Sequence, residues 1–564
     1  MSDLTPPIQP WRKGCALLVF LATFGLVPLH AIEALDLNAL HALWPTVVAL
    51  SVVLLLRRAI VGLLAGAVAG AILLAEGDPW QAYLTLAADH FAPIFDGPWR
   101  VGAIAFTLMM GGFAGVIEKG GGLIALFNRL QRTGGDASKR LQLGSLGLGL
   151  VCFFDGLANS MLVGRITRNL ARPCGVSRVK LAYIVDSTSA AVACIAFFST
   201  WIAAQLAYIS EGFARLQYEG NAYLYFFGSI PLNFYCWFTL VLVAVSAWKH
   251  FNPGPMSKYE AAAQAAQTAY AVAETRIQNP VTPSRSGALA SAFAPLVVLI
   301  LAMPAGFYFL GLPEADPQAS YFPLTQDKIT GAFGSNAGPL VLILASLAAT
   351  LAAFAFWPWK STSEKPTQAY ADGAKALLPP VGILLSAWLL GNVLGALGAN
   401  EIIASVVSDN LPIWSLPAAI FVTGAFIAFS TGTSWGTMGI LTPLAIEVVG
   451  LHPGLVESAA GAELLFSAAV AAVFSGAVFG DHCSPISDTT VVSAIATDVE
   501  PVDHVKTQMP FALIAAFLAL VVGFLPAGLG LPGWLLLPLG IGVLLALPVI
   551  FRGARTPSPP PATV

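Results

Sequence analysis

The run Gly480-Asp481-His482-Cys483-Ser484-Pro485-Ile486-Ser487-Asp488-Thr489-Thr490 sets the tightest limit on how this chain folds. It puts two carboxylates, an imidazole and four hydroxyls between apolar stretches, Leu464 to Val478 before it and Val491 to Ile495 after it. Polar groups at membrane depth are costly unless partnered, so they are rare there and mark functional sites. Gly480 and Pro485 also interrupt a helix, freeing backbone groups that need ligands or protein partners. A run of this kind describes an ion or small-solute site inside a membrane.

The rest of the chain supplies that membrane. Of 564 residues 57% are hydrophobic and 10% charged, against about 25% charged in an ordinary soluble domain. With 27 Lys and Arg against 30 Asp and Glu, no basic surface argues for a nucleic-acid partner. The six cysteines, at 15, 152, 174, 194, 236 and 483, have no paired spacing, so neither a disulfide framework nor a zinc site is expected. The apolar stretch from Gly14 to Leu29 lacks a small-residue cleavage site and reads as the first spanning helix.

A spanning helix needs about 20 apolar residues. Twelve candidates fall near 14–34, 40–56, 59–75, 101–118, 180–209, 224–247, 288–311, 334–357, 376–398, 462–497, 509–530 and 533–551. Two further apolar segments, 141–172 and 413–451, are each interrupted by a polar, glycine-containing cluster. Arg132, Lys139 and Arg140 precede the first, and Arg165, Arg168, Arg172, Arg178 and Lys180 follow its tip. Cytoplasmic loops are enriched in Lys and Arg, so both ends lie inside and the segment is a re-entrant hairpin. The second has no Lys or Arg between Lys375 and Lys506 and is flanked by Glu401, Asp409, Glu447 and Glu457, so its ends read as external. The remaining spans then alternate without contradiction, with both termini cytoplasmic.

This organisation predicts an all-α polytopic membrane protein, an inverted-repeat architecture with about 12 spanning helices and two re-entrant helical hairpins. Residues 1–100 hold the N-terminal helices. The first repeat is 101–251, with a hairpin at 139–175 and a broken helix at 180–209. A hydrophilic cytoplasmic loop, 252–287, has no assigned role and a candidate helix from Lys258 to Arg276. Residues 288–330 form a linking helix and external loop. The second repeat is 331–530, with a hairpin at 413–451 and a broken helix at 462–497, and 531–564 is a last helix and cytoplasmic tail. The short matches IVDSTSA and PISDTTV make Asp488 the expected counterpart of Asp186.

Four polar clusters converge if the repeat holds. They are Phe154 to Ser160, Asp186 to Ser189, Ser430 to Thr437, and the opening run. Hydroxyls, amide oxygens and carboxylates are hard ligands, suited to Na+ rather than to soft transition metals. The candidate binding residues are Asp155, Asn159, Asp186, Ser187, Thr188, Thr431, Thr433, Ser434, Asp481, His482, Ser484, Ser487, Asp488 and Thr489. Each has a plainer reading. Ser-Asp-Thr-Thr after a proline is also a good helix N-cap, Thr431, Thr433 and Ser434 also suit a hairpin tip's own backbone, and His482 is either a proton carrier or a hydrogen-bonded residue at a helix break. Asp503, His504 and Lys506 read as a solvated cytoplasmic turn. No nucleophile elbow or metalloprotease pair supports a membrane enzyme.

The motifs resemble the NhaC family of Na+/H+ antiporters within the ion-transporter superfamily. The resemblance rests on GDHCSPISDTT at 480–490, STGTSWGT at 430–437, YIVDSTSA at 183–190 with STWI at 199–202, FFDGLANSMLVG at 153–164, GSIPLNFY at 228–235 and DHVKTQMP at 503–510. It spans roughly 100–530 and implies secondary active transport in a plasma membrane, a bacterial inner membrane by analogy, with Na+ and protons as cargo and no cofactor. It differs from the family pattern at Gly156, where a second acid often follows the first hairpin's acid. The resemblance implies Na+ at Asp155, Asp186 and Asp488, with protons competing because burial strips an ionised carboxylate of its hydration. Since the family includes organic-acid exchangers, Na+- or H+-coupled transport of a small carboxylate or amino acid is the alternative. Superfamily analogy adds a homodimer as a further expectation, with lipid as the surrounding partner.

Overall fold

A computed structural model of the chain describes residues 10–30, 38–56, 58–96, 98–122, 125, 136–197, 199–218, 220–274, 289–333, 335, 337–359, 365–399, 411–455, 461–485 and 487–550. Among them every regular element is helical. The helices include α1 (Pro10–His30), α2 (Asn38–Leu56), α3 (Ala59–Leu74), α4 (Pro98–Lys119), α5 (Ala137–Val151), α6 (Gly156–Thr167), α7 (Arg178–Ile195), α8 (Ile202–Arg215), α9 (Phe234–Lys249) and α10 (Met256–Glu274). They continue with α11 (Ala290–Ala315), α12 (Gly338–Ala355), α13 (Leu378–Ala396), α14 (Leu416–Thr431), α15 (Ser434–Gly450), α16 (Gly461–Cys483), α17 (Asp488–Thr497), α18 (Pro501–Leu518) and α19 (Gly533–Ile550).

The protein is an integral membrane protein. Among the described residues nine helices are long and apolar enough to cross a membrane, and eleven if two bent pairs, Ile60–Leu74 with Pro79–Phe95 and Ala222–Leu232 with Phe234–Lys249, each count once. Large apolar side chains such as Leu301, Phe426, Phe517 and Leu539 lie on the outside, where in water they would form adhesive patches and in lipid they are solvated. The expected span at 180–209 is two helices, α7 and α8. The first arm of the second hairpin expected at 413–451, Ile413–Ser430, is itself long enough to span.

Both interrupted segments are helical hairpins. In the first, α5 and α6 are separated by Cys152 to Asp155; in the second, α14 and α15 are separated by Gly432 and Thr433. Gly432 ends α14 in the left-handed region at φ 69°, and the Thr433 side chain caps α15 by accepting from the Gly436 N–H, a glycine stop followed by a threonine start.

The two halves pack crosswise. The first hairpin lies against α7 and the second against α16, yet α6 also packs on α17 and α15 on α8. Each hairpin's second arm thus meets the other half's post-break helix. Helices α9 and α18 each touch both α7 and α16. Very close approach brings α14 onto α16: a Cβ on Gly480 would stand 2.5 Å from both the Ala425 carbonyl and the Phe429 amide. Small residues at such a seam let backbones approach in a membrane, where packing replaces the hydrophobic drive.

One expectation is corrected. The polar run Val185 to Ala190 does not interrupt its helix; α7 continues through it to Ile195. Thr188 Oγ1 donates back to the Ile184 carbonyl at 2.8 Å and Ser189 Oγ to the Asp186 carbonyl at 2.9 Å, so these hydroxyls are satisfied within the helix. The break falls at 196–201 instead. There Ser199 Oγ donates to the Ala193 carbonyl at 2.6 Å and Gln205 Nε2 to the Cys194 carbonyl at 3.1 Å, supplying the end of α7 with the partners a helix terminus needs. In the second half the break lies inside the opening run, at 484–487 between α16 and α17. The matched acids therefore sit differently: Asp186 is mid-helix, and Asp488 is the first residue of α17.

Two polar structures brace the helices around the site. Arg100 on α4 and Arg215 on α8 both bond Glu211, at 2.5 and 3.1 Å, and Arg215 also bonds Glu447 on α15 at 2.9 Å. In the first half, α10 docks on the start of α7 through Glu260, whose carboxylate accepts from the N–H of the α7 N-cap residue Ser177 at 2.8 Å and from the Ser177 hydroxyl at 2.6 Å. The stretch 275–287 of the loop and 551–564 of the tail lie outside the described residues.

Candidate ion-binding site

The site is built on two buried carboxylates, one from each half. Asp186 is fully buried on α7. Its carboxylate accepts from Gln508 Nε2 at 2.7 Å, Thr490 Oγ1 at 3.1 Å, Ser493 Oγ at 3.3 Å and His504 Nε2 at 3.3 Å. All four donors stand on α17 and α18, so an acid of the first half is held entirely by the second. No Lys or Arg among the described residues pairs with it. Ser493 Oγ also lies 3.0 Å from Ser160 Oγ on α6, extending the network to the first hairpin.

Asp481 stands near the end of α16 and is 1% exposed. One carboxylate oxygen accepts from Ser434 Oγ and Thr489 Oγ1, each at 2.8 Å, and the other accepts from Ser487 Oγ. These hydroxyls come from the second hairpin's tip, the break and the first turn of α17. Ser487 is the N-cap residue of α17 but makes no side-chain cap bond, because its hydroxyl is turned to Asp481. Thr490 joins the two centres: its Oγ1 is 3.1 Å from the Asp186 carboxylate and 3.0 Å from the Asp481 carbonyl. One hydroxyl proton serves two acceptors.

The remaining expected residues divide. Asp155, in the first hairpin's tip, is 5% exposed and accepts from Thr200 Oγ1 at 2.9 Å, while the Thr200 N–H bonds the Phe154 carbonyl at 2.8 Å. Hairpin tip and helix break are thereby tied together. Asn159 Nδ2 donates to the Gly149 carbonyl at 2.9 Å and the Thr188 carbonyl at 3.4 Å. His482 Nδ1 lies 2.8 Å from the Tyr235 hydroxyl, and the His482 carbonyl accepts from Gln508 Nε2 at 2.9 Å. Asn159 Oδ1, Ser187 Oγ, His482 Nε2 and Ser484 Oγ are buried without a hydrogen-bond partner, spare polar capacity that native interiors rarely carry. The Thr433 hydroxyl is used as a cap. The side chains of Thr431 and Asp488 lie outside the described residues. Asp155 is not among the partners of the Asp186 carboxylate.

Sequence reasoning missed His504 and Gln508. The expected solvated turn is instead the start of α18, and His504 is fully buried against Asp186. The usable signal is their spacing, since residues four apart share one helix face. Lys506 is exposed and Asp503 half-buried, so the polar neighbours masked a buried pair. Thr200, Thr490, Ser493 and Tyr235 were likewise unassigned, although Thr490 lies within the opening run.

A protein-family model described as the Na+/H+ antiporter family matches residues 192–529. An uncharacterized protein of Haemophilus influenzae is 28% identical over 513 residues, 89% of this chain and 94% of its own. The malate-2H+/Na+-lactate antiporter of Bacillus subtilis is 30% identical over 181 residues, 30% of this chain and 35% of its own. The Na+/H+ antiporter NhaC of the same organism is 28% identical over 187 residues, 33% and 37% of the two chains. This chain thus spans about a third of the length of these two named antiporters. The resemblance first carried by the short motifs extends through both breaks and the second hairpin, and the chain belongs to the Na+/H+ antiporter family.

Proposed function

We propose that this secondary transporter exchanges Na+ for protons across a plasma membrane, using buried carboxylates that bind the two cations in competition. The observation that carries the reading is Asp186, a fully buried carboxylate held only by hydroxyls, an amide and an imidazole from the opposite half. An ionised carboxylate with no Lys or Arg beside it is expensive to bury. A proton on this carboxylate, or Na+ elsewhere within the same site, relieves that cost, and an unneutralised site resists reorientation, which suppresses leak. Asp155 and Asp481 add acids at the hairpin tip and the second break, and Asp488 opens α17. The cations are cargo, so no cofactor is required. Positive charge in the loops favours a bacterial inner-membrane orientation with both termini cytoplasmic, and analogy favours a homodimer.

The 30% identity to an antiporter named for malate and lactate favours a second reading, exchange of a small carboxylate. One experiment separates them. Protein in liposomes with an internal pH dye is challenged with Na+, Li+, K+, malate and lactate. Na+-driven alkalinisation or acidification independent of organic acid is expected, and it is lost in Asp186→Asn. Flux that requires malate or lactate refutes simple antiport, and unchanged exchange in Asp186→Asn removes that residue from the mechanism.

A further inference from the structure

We infer that the alkali cation is bound at Asp481, with Ser434, Ser487 and Thr489 as oxygen ligands, and not at Asp186. The inference rests on the proposed cation exchange and assigns its cargo to one of the two carboxylates. The argument is the chemistry of the donors. A hydroxyl has one proton and two lone pairs, so the three hydroxyls that donate to Asp481 can rotate and present oxygen lone pairs to a cation. Carboxylate and hydroxyl oxygens are the ligands a hard monovalent ion prefers.

Asp186 has a different surrounding. Two of its four donors are nitrogens, Gln508 Nε2 at 2.7 Å and His504 Nε2 at 3.3 Å, and neither offers a lone pair while it carries its proton. The Gln508 orientation is fixed by chemistry: its nitrogen faces both the Asp186 carboxylate and the His482 carbonyl, at 2.7 and 2.9 Å. Turning the amide over would set oxygen against two acceptors. A cation at Asp186 would displace these N–H groups and leave them buried and unpaired, a cost of about 1–3 kcal/mol for each.

Two further observations favour Asp481. Ser484 Oγ, in the same break, is fully buried with no hydrogen-bond partner, and the Ser484 N–H donates to the Asp481 carbonyl at 3.1 Å, so a spare buried oxygen lies on the residue that follows α16. Pro485, between the buried Ser484 and Ser487, is exposed, so the break reaches the molecular surface. The ligands also come from parts that move apart if the hairpin moves: Ser434 belongs to the second hairpin, Asp481 to α16, and Thr489 to α17. Cation binding would draw the hairpin tip onto the break.

The test measures cation binding without relying on transport. Full-length protein in detergent is melted in NaCl and in choline chloride of equal ionic strength. Na+-specific stabilisation of the wild type is expected. Loss of one charge-assisted ligand, in Ser434→Ala or Thr489→Ala, should raise the half-saturating Na+ concentration roughly tenfold or more, and Asp481→Asn should abolish the effect. His504→Gln removes no oxygen ligand, so its shift should be smaller than that of Ser434→Ala or Thr489→Ala. Absence of Na+-specific stabilisation in the wild type overturns the inference, as does a shift in His504→Gln equal to that in Ser434→Ala. If Asp481→Asn does not fold, the two alanine variants decide. Na+ stabilisation together with no Na+-dependent proton flux in liposomes keeps this cation site and refutes the exchange reading instead.

Discussion

Gly480→Ala tests whether the seam between α14 and α16 sets the geometry of the Asp481 cage. A Cβ at Gly480 would stand 2.5 Å from the Ala425 carbonyl oxygen, 2.5 Å from the Phe429 nitrogen and 2.6 Å from the Ala428 Cβ. Two of these are backbone atoms, so no rotamer change relieves the contact. Restoring an ordinary 3.4 Å separation requires the helices to part by about 0.9 Å. Ser434 follows α14 after the short Gly432-Thr433 tip, and its hydroxyl is 2.8 Å from Asp481. Carried along, that contact opens to about 3.7 Å, beyond hydrogen-bond range. Losing one bond to a charged group costs about 1.5–3 kcal/mol, equivalent to roughly a 10- to 150-fold weaker apparent Na+ affinity. Overpacking costs a further 1–3 kcal/mol or so of stability. The assay is the Na+ dependence of dye-reported proton flux in liposomes, with melting in detergent as a fold check. Gly542→Ala on α19, where no atom lies within 4 Å of the added Cβ, is the control and should be silent. A folded Gly480→Ala protein with wild-type Na+ dependence would refute the reasoning.

Two further outcomes follow from the braces. Arg215→Met leaves Glu447 buried without its guanidinium and should lower stability by about 3–5 kcal/mol; adding Glu447→Gln should recover part of the loss, and strictly additive melting shifts would show that the two do not act as a pair. Glu260→Ala removes the acceptor of the Ser177 N–H and hydroxyl. A loss of about 1–3 kcal/mol should appear as faster proteolysis within α10, and unchanged cleavage would show that the docking contact does not hold that helix.

Where the sequence carries explicit breakers, the architecture can be read from it. Pro485 and Gly432 mark the second half's break and hairpin tip, and both lie where helices end. The first half offers no such signal: Ala196 to Trp201 contains neither glycine nor proline, so the sequence points to the conspicuous polar run ten residues earlier. That run remains helical because its hydroxyls bond their own turn. The same limit hides the site's pairing. Asp481 and Asp488 are seven residues apart and equally acidic on paper, and only the position of the helix end shows that the hydroxyls of Ser487 and Thr489 turn back to Asp481. His504 and Gln508 needed the fold most, because their partner, Asp186, lies more than 300 residues away in the chain.

The crossed arrangement ties binding to movement. Asp186 belongs to the first half but all its donors belong to the second, and the first hairpin's α6 rests on the second half's α17. Any displacement of one half against the other must therefore change the surroundings of Asp186. The hydroxyls of Ser434, Ser487 and Thr489 that donate to Asp481 all belong to its own half, so these contacts report the hairpin rather than the inter-half relation. Thr490 spans the two, with a single proton to give to the Asp186 carboxylate or the Asp481 carbonyl. When that proton turns to one acceptor, the other loses a donor, and a cation that drew α17 toward Asp481 would loosen the hold on Asp186. This is a direct physical route by which occupancy at one carboxylate weakens the charged state of the other, and it needs no long chain of intermediaries. Thr490→Val removes the shared proton while keeping the shape. It should leave Na+ stabilisation within about threefold of wild type, since no proposed ligand is lost, yet slow Na+-driven proton flux by roughly tenfold, the equivalent of one net hydrogen bond. Wild-type flux in Thr490→Val would show that the two carboxylates are coupled by another path.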